Sequence, residues 1–143
     1  MTKESVAQQH VLIVEDEPDF AALLRSILVD AGYSVATAYN CEDALAEVRK
    51  TRPDVITLDI QMPRKSGAFF YRTLKTDAKY RNVPVVVVTG ITSHDREMES
   101  IVRTFLEPAD LPHPHAYLEK PVEGPALLET IEAALSTAAP GTC

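Results

Sequence analysis

Short apolar runs alternate with longer amphipathic stretches along this sequence. Val11-Leu12-Ile13-Val14 is continuously apolar, the pattern of a strand buried on both faces of a sheet, and Glu15, Asp16 and Glu17 end it abruptly. Pro18 suits a first helical turn, and Phe20, Leu23, Leu24, Ile27, Leu28 and Ala31 follow at the spacing of one helix face. Gly32 is placed to stop that helix. Residues 33–38 predict a second strand. Asn40 predicts the cap of a helix over 41–50, with Asp43 three positions on as in a capping box. Residues 54–59 predict a third strand, in which a β-branched apolar run is halted by Asp59 and Pro63 follows. Gly67 precedes a predicted helix over 68–77, and Pro84 leads into Val85-Val86-Val87-Val88-Thr89, the most apolar strand.

Beyond it, Met98, Ile101, Val102, Phe105 and Leu106 form one helical stripe, with Thr92 or Ser93 available as cap and Pro108 as terminator. The connector through Pro112, His113, Pro114 and His115 has no regular period. Tyr117-Leu118-Glu119-Lys120 predicts a fifth strand, stopped by Pro121, and Leu127, Leu128, Ile131 and Leu135 mark a last helix. Residues 1–9 and 136–143 read as tails around one domain over 10–135. Five apolar strands alternating with five helices predict an α/β, doubly wound parallel sheet covered on both faces. Such sheets place their sites beyond the carboxyl ends of the strands. The polar residues at those ends are Glu15 and Asp16, Asp59, Thr89 and Lys120, so positions a hundred residues apart converge on one rim.

A chain of 143 residues, 45% hydrophobic and 24% charged, is ordinary for one globular domain. The net charge of −7 argues against direct nucleic acid binding or an anionic membrane surface. Cys41 and Cys143 are too few for a disulfide scaffold and fit free thiols in a reducing compartment. With no run long enough to insert in a membrane and no signal-peptide core in residues 1–9, a cytoplasmic protein is expected.

Three crowded carboxylates repel by about 1–4 kcal/mol per close pair at surface-like dielectric, and a divalent cation relieves this. Their all-oxygen donor set favours a hard ion such as Mg²⁺. With Lys120 as a fixed positive charge and Thr89 as a hydroxyl donor, the rim has what a transferring phosphoryl group needs, and Asp59 is the candidate nucleophile.

At these residues the sequence resembles the receiver domain of two-component response regulators. The resemblance rests on Val11 to Pro18, on Asp59-Ile60-Gln61-Met62-Pro63 with Gly67 beyond, on Pro84 to Gly90, and on Tyr117 to Pro121, and it spans roughly residues 10–135. It implies a flavodoxin-like sheet of order 2-1-3-4-5 and a stand-alone, chemotaxis-regulator-like switch. It implies that Asp59 takes a phosphoryl group from a sensor histidine kinase or a histidine phosphotransfer protein. Asp16, Asp59 and the backbone carbonyl of Gln61 would ligate Mg²⁺, with Glu15 acting nearby through water. Thr89 and Lys120 would bind the phosphoryl oxygens, and the Tyr117 rotamer would follow Thr89. With only residues 136–143 beyond the domain, too few for a DNA-binding module, a downstream protein target is expected, and a phosphorylation-dependent homodimer is a further partner that the resemblance implies. The expected role is that of a switch, not of an enzyme.

Other readings of the same rim are a phosphorelay intermediate, an aspartyl-phosphate phosphohydrolase and a phosphate-independent binding module. The phosphohydrolases generally carry a second aspartate two residues after the nucleophile, where this chain has Gln61. Ile91, two residues after Thr89, offers no polar group to orient an attacking water, so slow loss of the phosphoryl group is expected. Tyr117 also suits any half-buried strand, and His113 and His115 read as loop residues without a metal. The family pattern is left in one place: Thr89 and Lys120 are 31 positions apart, and the excess falls in the connector over 105–116. A partner-specific surface there is the corresponding expectation.

Overall fold

The computed structural model of the chain describes residues 8–60, 66–90 and 111–138. Five strands and four helices lie within them: β1 (His10–Val14), α1 (Pro18–Asp30), β2 (Ser34–Ala38), α2 (Cys41–Lys50), β3 (Val55–Leu58), α3 (Ser66–Thr76), β4 (Val85–Thr89), β5 (Ala116–Glu119) and α4 (Gly124–Ala138). All strand pairs are parallel, in the order β2-β1-β3-β4-β5, as the doubly wound reading expected. The predicted helix on the Met98–Leu106 stripe lies outside the described residues.

Strand alternation divides the apolar runs between two cores. Leu12, Val14, Ile56, Leu58, Val85 and Val87 face Ala44 and Val48 of α2 and Phe70, Tyr71 and Leu74 of α3. Val11, Ile13, Val55, Val86 and Val88 face Ala21, Leu24 and Leu28 of α1 and Leu127, Ile131 and Ala134 of α4. Both faces are covered by helices, which is why β1, β3 and β4 read as near-continuous apolar runs. Each fully buried aliphatic side chain contributes about 1.5–3 kcal/mol, and these cores fix the strand ends on which the site stands.

Helix ends follow the local chemistry. Pro18 occupies the first turn of α1, and at its other end Gly32, at φ 100°, closes the chain. There the Gly32 N–H bonds to the Val29 carbonyl and the Tyr33 N–H to the Leu28 carbonyl, the paired bonds of a left-handed helix stop. Asn40 caps α2 by accepting from the Asp43 N–H at 2.8 Å. The return bond to Asp43 comes from the Asn40 side-chain amide, not from its backbone as in a capping box.

Some predicted limits shift. The helix expected over 68–77 starts at Ser66, which puts Gly67 inside its first turn. The last helix continues through Ala138, past the expected fraying point at Ser136. The strand expected over 54–59 ends at Leu58, leaving Asp59 just beyond it. The strand expected over 33–38 begins at Ser34, and the fifth strand is displaced by one residue to Ala116–Glu119. Cys41 is a free, buried thiol. No helix among the described residues is long and apolar enough to cross a membrane.

Lys75 near the end of α3 is 3% exposed. Its ammonium donates to the carbonyls of Arg81, at 3.1 Å, and Val83, tying the helix end to the turn before β4. Burial, and then the charges of Arg81 and Arg52, push its pKa from 10.5 down to about 8. Between these values the unfolded chain holds a proton that the folded chain has released. Stability associated with Lys75 is therefore full above pH 10.5 and is lost as pH falls through about 8. Urea unfolding should show the wild type gaining on Lys75→Met as pH rises through this window; a difference independent of pH would refute the assignment.

Candidate functional site

Four of the five strands deliver polar groups to the carboxyl edge. Glu15 and Asp16 follow β1, Asp59 follows β3, Thr89 ends β4 and Lys120 follows β5. Backbone bonds continue the ladder one step past the strands and hold these residues side by side. The N–H of Glu15 donates to the Ala38 carbonyl at 3.0 Å, that of Asp59 to Val14 at 2.9 Å and that of Lys120 to Thr89 at 2.8 Å. Glu15, Asp59 and Thr89 are buried, and Asp16 is half-buried.

Glu15, Asp16 and Asp59 each bring a carboxylate oxygen within 4.8 Å of the others. Burial, reinforced by the charge of Asp59, pushes the Glu15 carboxyl up to about 7. The same two causes, in the same order, raise Asp16. Lys120 is the counter-charge. Its Nζ lies 3.2 Å from Glu15 Oε1, 3.2 Å from Glu17 Oε1 and 3.5 Å from Asp59 Oδ2. Burial alone would lower the Lys120 pKa, but Asp59, Glu15 and Glu17 outweigh it and hold the ammonium above its ordinary value. Glu15 Oε2 accepts hydrogen bonds from the Glu17 N–H at 3.2 Å and from Lys120 at 3.3 Å. Oε1 is buried and accepts none, although it lies within ion-pair distance of Lys120. An orphaned buried oxygen, an all-carboxylate donor set and a surplus of negative charge fit a hard divalent cation.

The structure thus gathers Glu15, Asp16, Asp59, Thr89 and Lys120, as their places at strand ends predict. Gln61 and Ile91 lie outside the described residues. Tyr117 pairs with Val87, two residues before Thr89 on the same strand, and its side chain is 38% exposed. Part of the connector is anchored. Leu111 joins the core, the Tyr71 hydroxyl donates to the Pro112 carbonyl, and the His115 N–H donates to Val85.

Three contacts escape a reading of the sequence. Glu17 is an ion-pair partner of Lys120, and the Phe20 ring lies 4.5 Å from its ammonium. Phe20 had read only as part of the apolar stripe of α1. Gly67 is the third. A Cβ there would stand 2.6 Å from the Asp59 carbonyl oxygen and 2.9 Å from the Ile60 Cα, so only glycine lets α3 start against this loop.

A family model described as the response regulator receiver domain matches residues 11–132. The chain belongs to that family. This receiver domain is 34% identical to protein Rrf1 of Nitratidesulfovibrio vulgaris over 132 residues, covering 92% of this chain and 86% of that protein. It is 35% identical to the polar-differentiation response regulator DivK of Brucella anthropi, covering 90% of this chain and 97% of the relative. Among solved structures, the chemotaxis protein CheY4 of Vibrio cholerae superposes with a TM-score of 0.77 at 29% identity, covering 90% of this chain and 100% of that one. The chain is accordingly a component of two-component signalling, with the flavodoxin-like fold of these neighbours.

Gly67→Ala gains helix propensity but forces a methyl group against backbone atoms that have no cheap way to retreat. The expected net loss is about 1–3 kcal/mol of stability in urea unfolding, as for overpacked sites. An unchanged midpoint would show that the Asp59 loop gives way freely.

Proposed function

We propose that this receiver domain is a phosphoacceptor switch in which Asp59 receives a phosphoryl group from a phosphohistidine. The observation that carries the reading is the placement of Asp59, 4% exposed, among Glu15 and Asp16 and 3.5 Å from the Lys120 ammonium. An Asp59 oxygen attacks phosphorus as the P–N bond to the donor imidazole breaks, and the imidazole takes up a proton from solvent. Lys120 exchanges its contact with Asp59 for one phosphoryl oxygen, and the Thr89 hydroxyl donates to another. Glu15, Asp16 and Asp59 would hold Mg²⁺, which when bound would supply positive charge against the charge of the phosphoryl group. Burial of Asp59 limits the access of water to the acyl phosphate.

The phosphoryl group of the product carries about 1.5–2 negative charges where the Asp59 carboxylate carried one, and it brings new acceptor oxygens beside Thr89, enough to redraw its hydrogen bonds and those of the adjoining β4 end. The domain would act in the cytoplasm on a downstream protein, as a switch whose output is binding and not turnover. Its donor would be a sensor histidine kinase or a histidine phosphotransfer protein.

Intact mass spectrometry after incubation with acetyl phosphate and magnesium should find one phosphoryl group on the wild type and none on Asp59→Asn. An unmodified wild type, or an equally modified variant, would overturn the reading. Calorimetric titration with magnesium should give one site, weakened at least about tenfold, or about 1.4 kcal/mol, in Asp16→Asn. Undiminished affinity in that variant would move the ion elsewhere.

A further inference from the structure

Lys120 is enclosed on two sides by residues that the phosphoryl-transfer scheme does not use. Beneath it is the ring of Phe20, with the ammonium 4.5 Å from the centroid. On its more exposed side is Glu17, whose side chain is 64% exposed and whose Oε1 lies 3.2 Å from Nζ. Both belong to the start of α1: Glu17 is its cap residue, makes no side-chain cap bond, and stands three positions before Phe20. The Glu17 carboxylate is therefore committed to Lys120 and not to its own helix.

We propose that Glu17 and Phe20 form a charge gate that sets the phosphodonor preference of the site. This inference rests on the phosphoacceptor reading above. Phe20 is a positioning residue: the electron-rich face of its ring attracts the ammonium and keeps it over the rim. Glu17 is the removable counter-ion. Lys120 turns fully to the phosphoryl oxygens when it gives up Glu17 as well as Asp59, and until then an exposed negative charge faces any incoming donor. A small anionic acyl phosphate meets that charge alone. A phosphohistidine carried by a protein brings a surface of its own, which can offer a cation to Glu17 and draw it off Lys120. The gate thus discriminates against small phosphodonors and favours protein-borne ones.

The test compares the second-order rate of Asp59 phosphorylation by acetyl phosphate at saturating magnesium in wild type, Glu17→Gln, Phe20→Leu and Phe20→Tyr. Glu17→Gln should react about three- to tenfold faster at low ionic strength, and the advantage should vanish near 1 M salt, where the screening length is about 3 Å. Phe20→Leu keeps an apolar side chain but loses the ring and should react several-fold more slowly; Phe20→Tyr should restore the rate. In metal-free protein, the Lys120 side-chain NMR signals should be shifted upfield by the ring in wild type and Phe20→Tyr and not in Phe20→Leu. Equal rates and equal salt dependence in wild type and Glu17→Gln would overturn the gate, as would Lys120 signals indifferent to Phe20→Leu. If no variant acquires a phosphoryl group while the ring shift persists, the phosphoacceptor reading itself fails, and the gate with it.

Discussion

One ammonium holds together a rim that would otherwise repel itself. Glu15, Glu17 and Asp59 stand around Lys120, with Asp16 beside Glu15 and Asp59, and the parallel sheet gives their backbones no freedom to separate. The ladder bonds that run on past the strand ends bring the charges together, and Lys120 makes that proximity tolerable. Removing one partner of such a cluster leaves the others desolvated and uncompensated, a larger loss than the attraction of any exposed pair. The surplus of negative charge that Lys120 leaves unbalanced is what a hard divalent cation would neutralise.

The two cores serve this rim by rigidity. Val14, Leu58 and Val87 lie on one face and Ile13, Val86 and Val88 on the other, so the residues just before each functional group are packed from both sides. Close-packed interiors do not deform continuously, which keeps the positions of Glu15, Asp59 and Thr89 sharply defined. Motion must then come from side chains and loops at the edge, where Lys120 and Glu17 are partly or largely exposed.

Much of this was legible in the sequence because burial on both faces leaves so plain a trace. A carboxylate after Val-Ile-Thr-Leu, or a lysine between a strand and a proline, is conspicuous when every earlier position is apolar or β-branched. Contacts that depend on where a helix lands across the sheet leave no such trace. Phe20 obeys the period of α1, and nothing local says that its ring meets a lysine a hundred residues on. Gly67 read as punctuation before a helix, whereas its reason is the Asp59 carbonyl pressed against it. Glu17 read only as part of the acidic end of the first apolar run, since its partner is fixed by the order of the sheet, the β4–β5 pairing included.

That pairing has a consequence for how such a chain can change. The Lys120 N–H is fastened to the Thr89 carbonyl, and Glu119 stands beside Thr89 in register. Thirty-one positions of sequence are thereby reduced to one hydrogen bond at the site. The length of the intervening chain does not enter the chemistry. A change in the length of that stretch leaves this pairing in place, so the chain there can lengthen or shorten while the rim that Thr89 and Lys120 complete keeps its geometry.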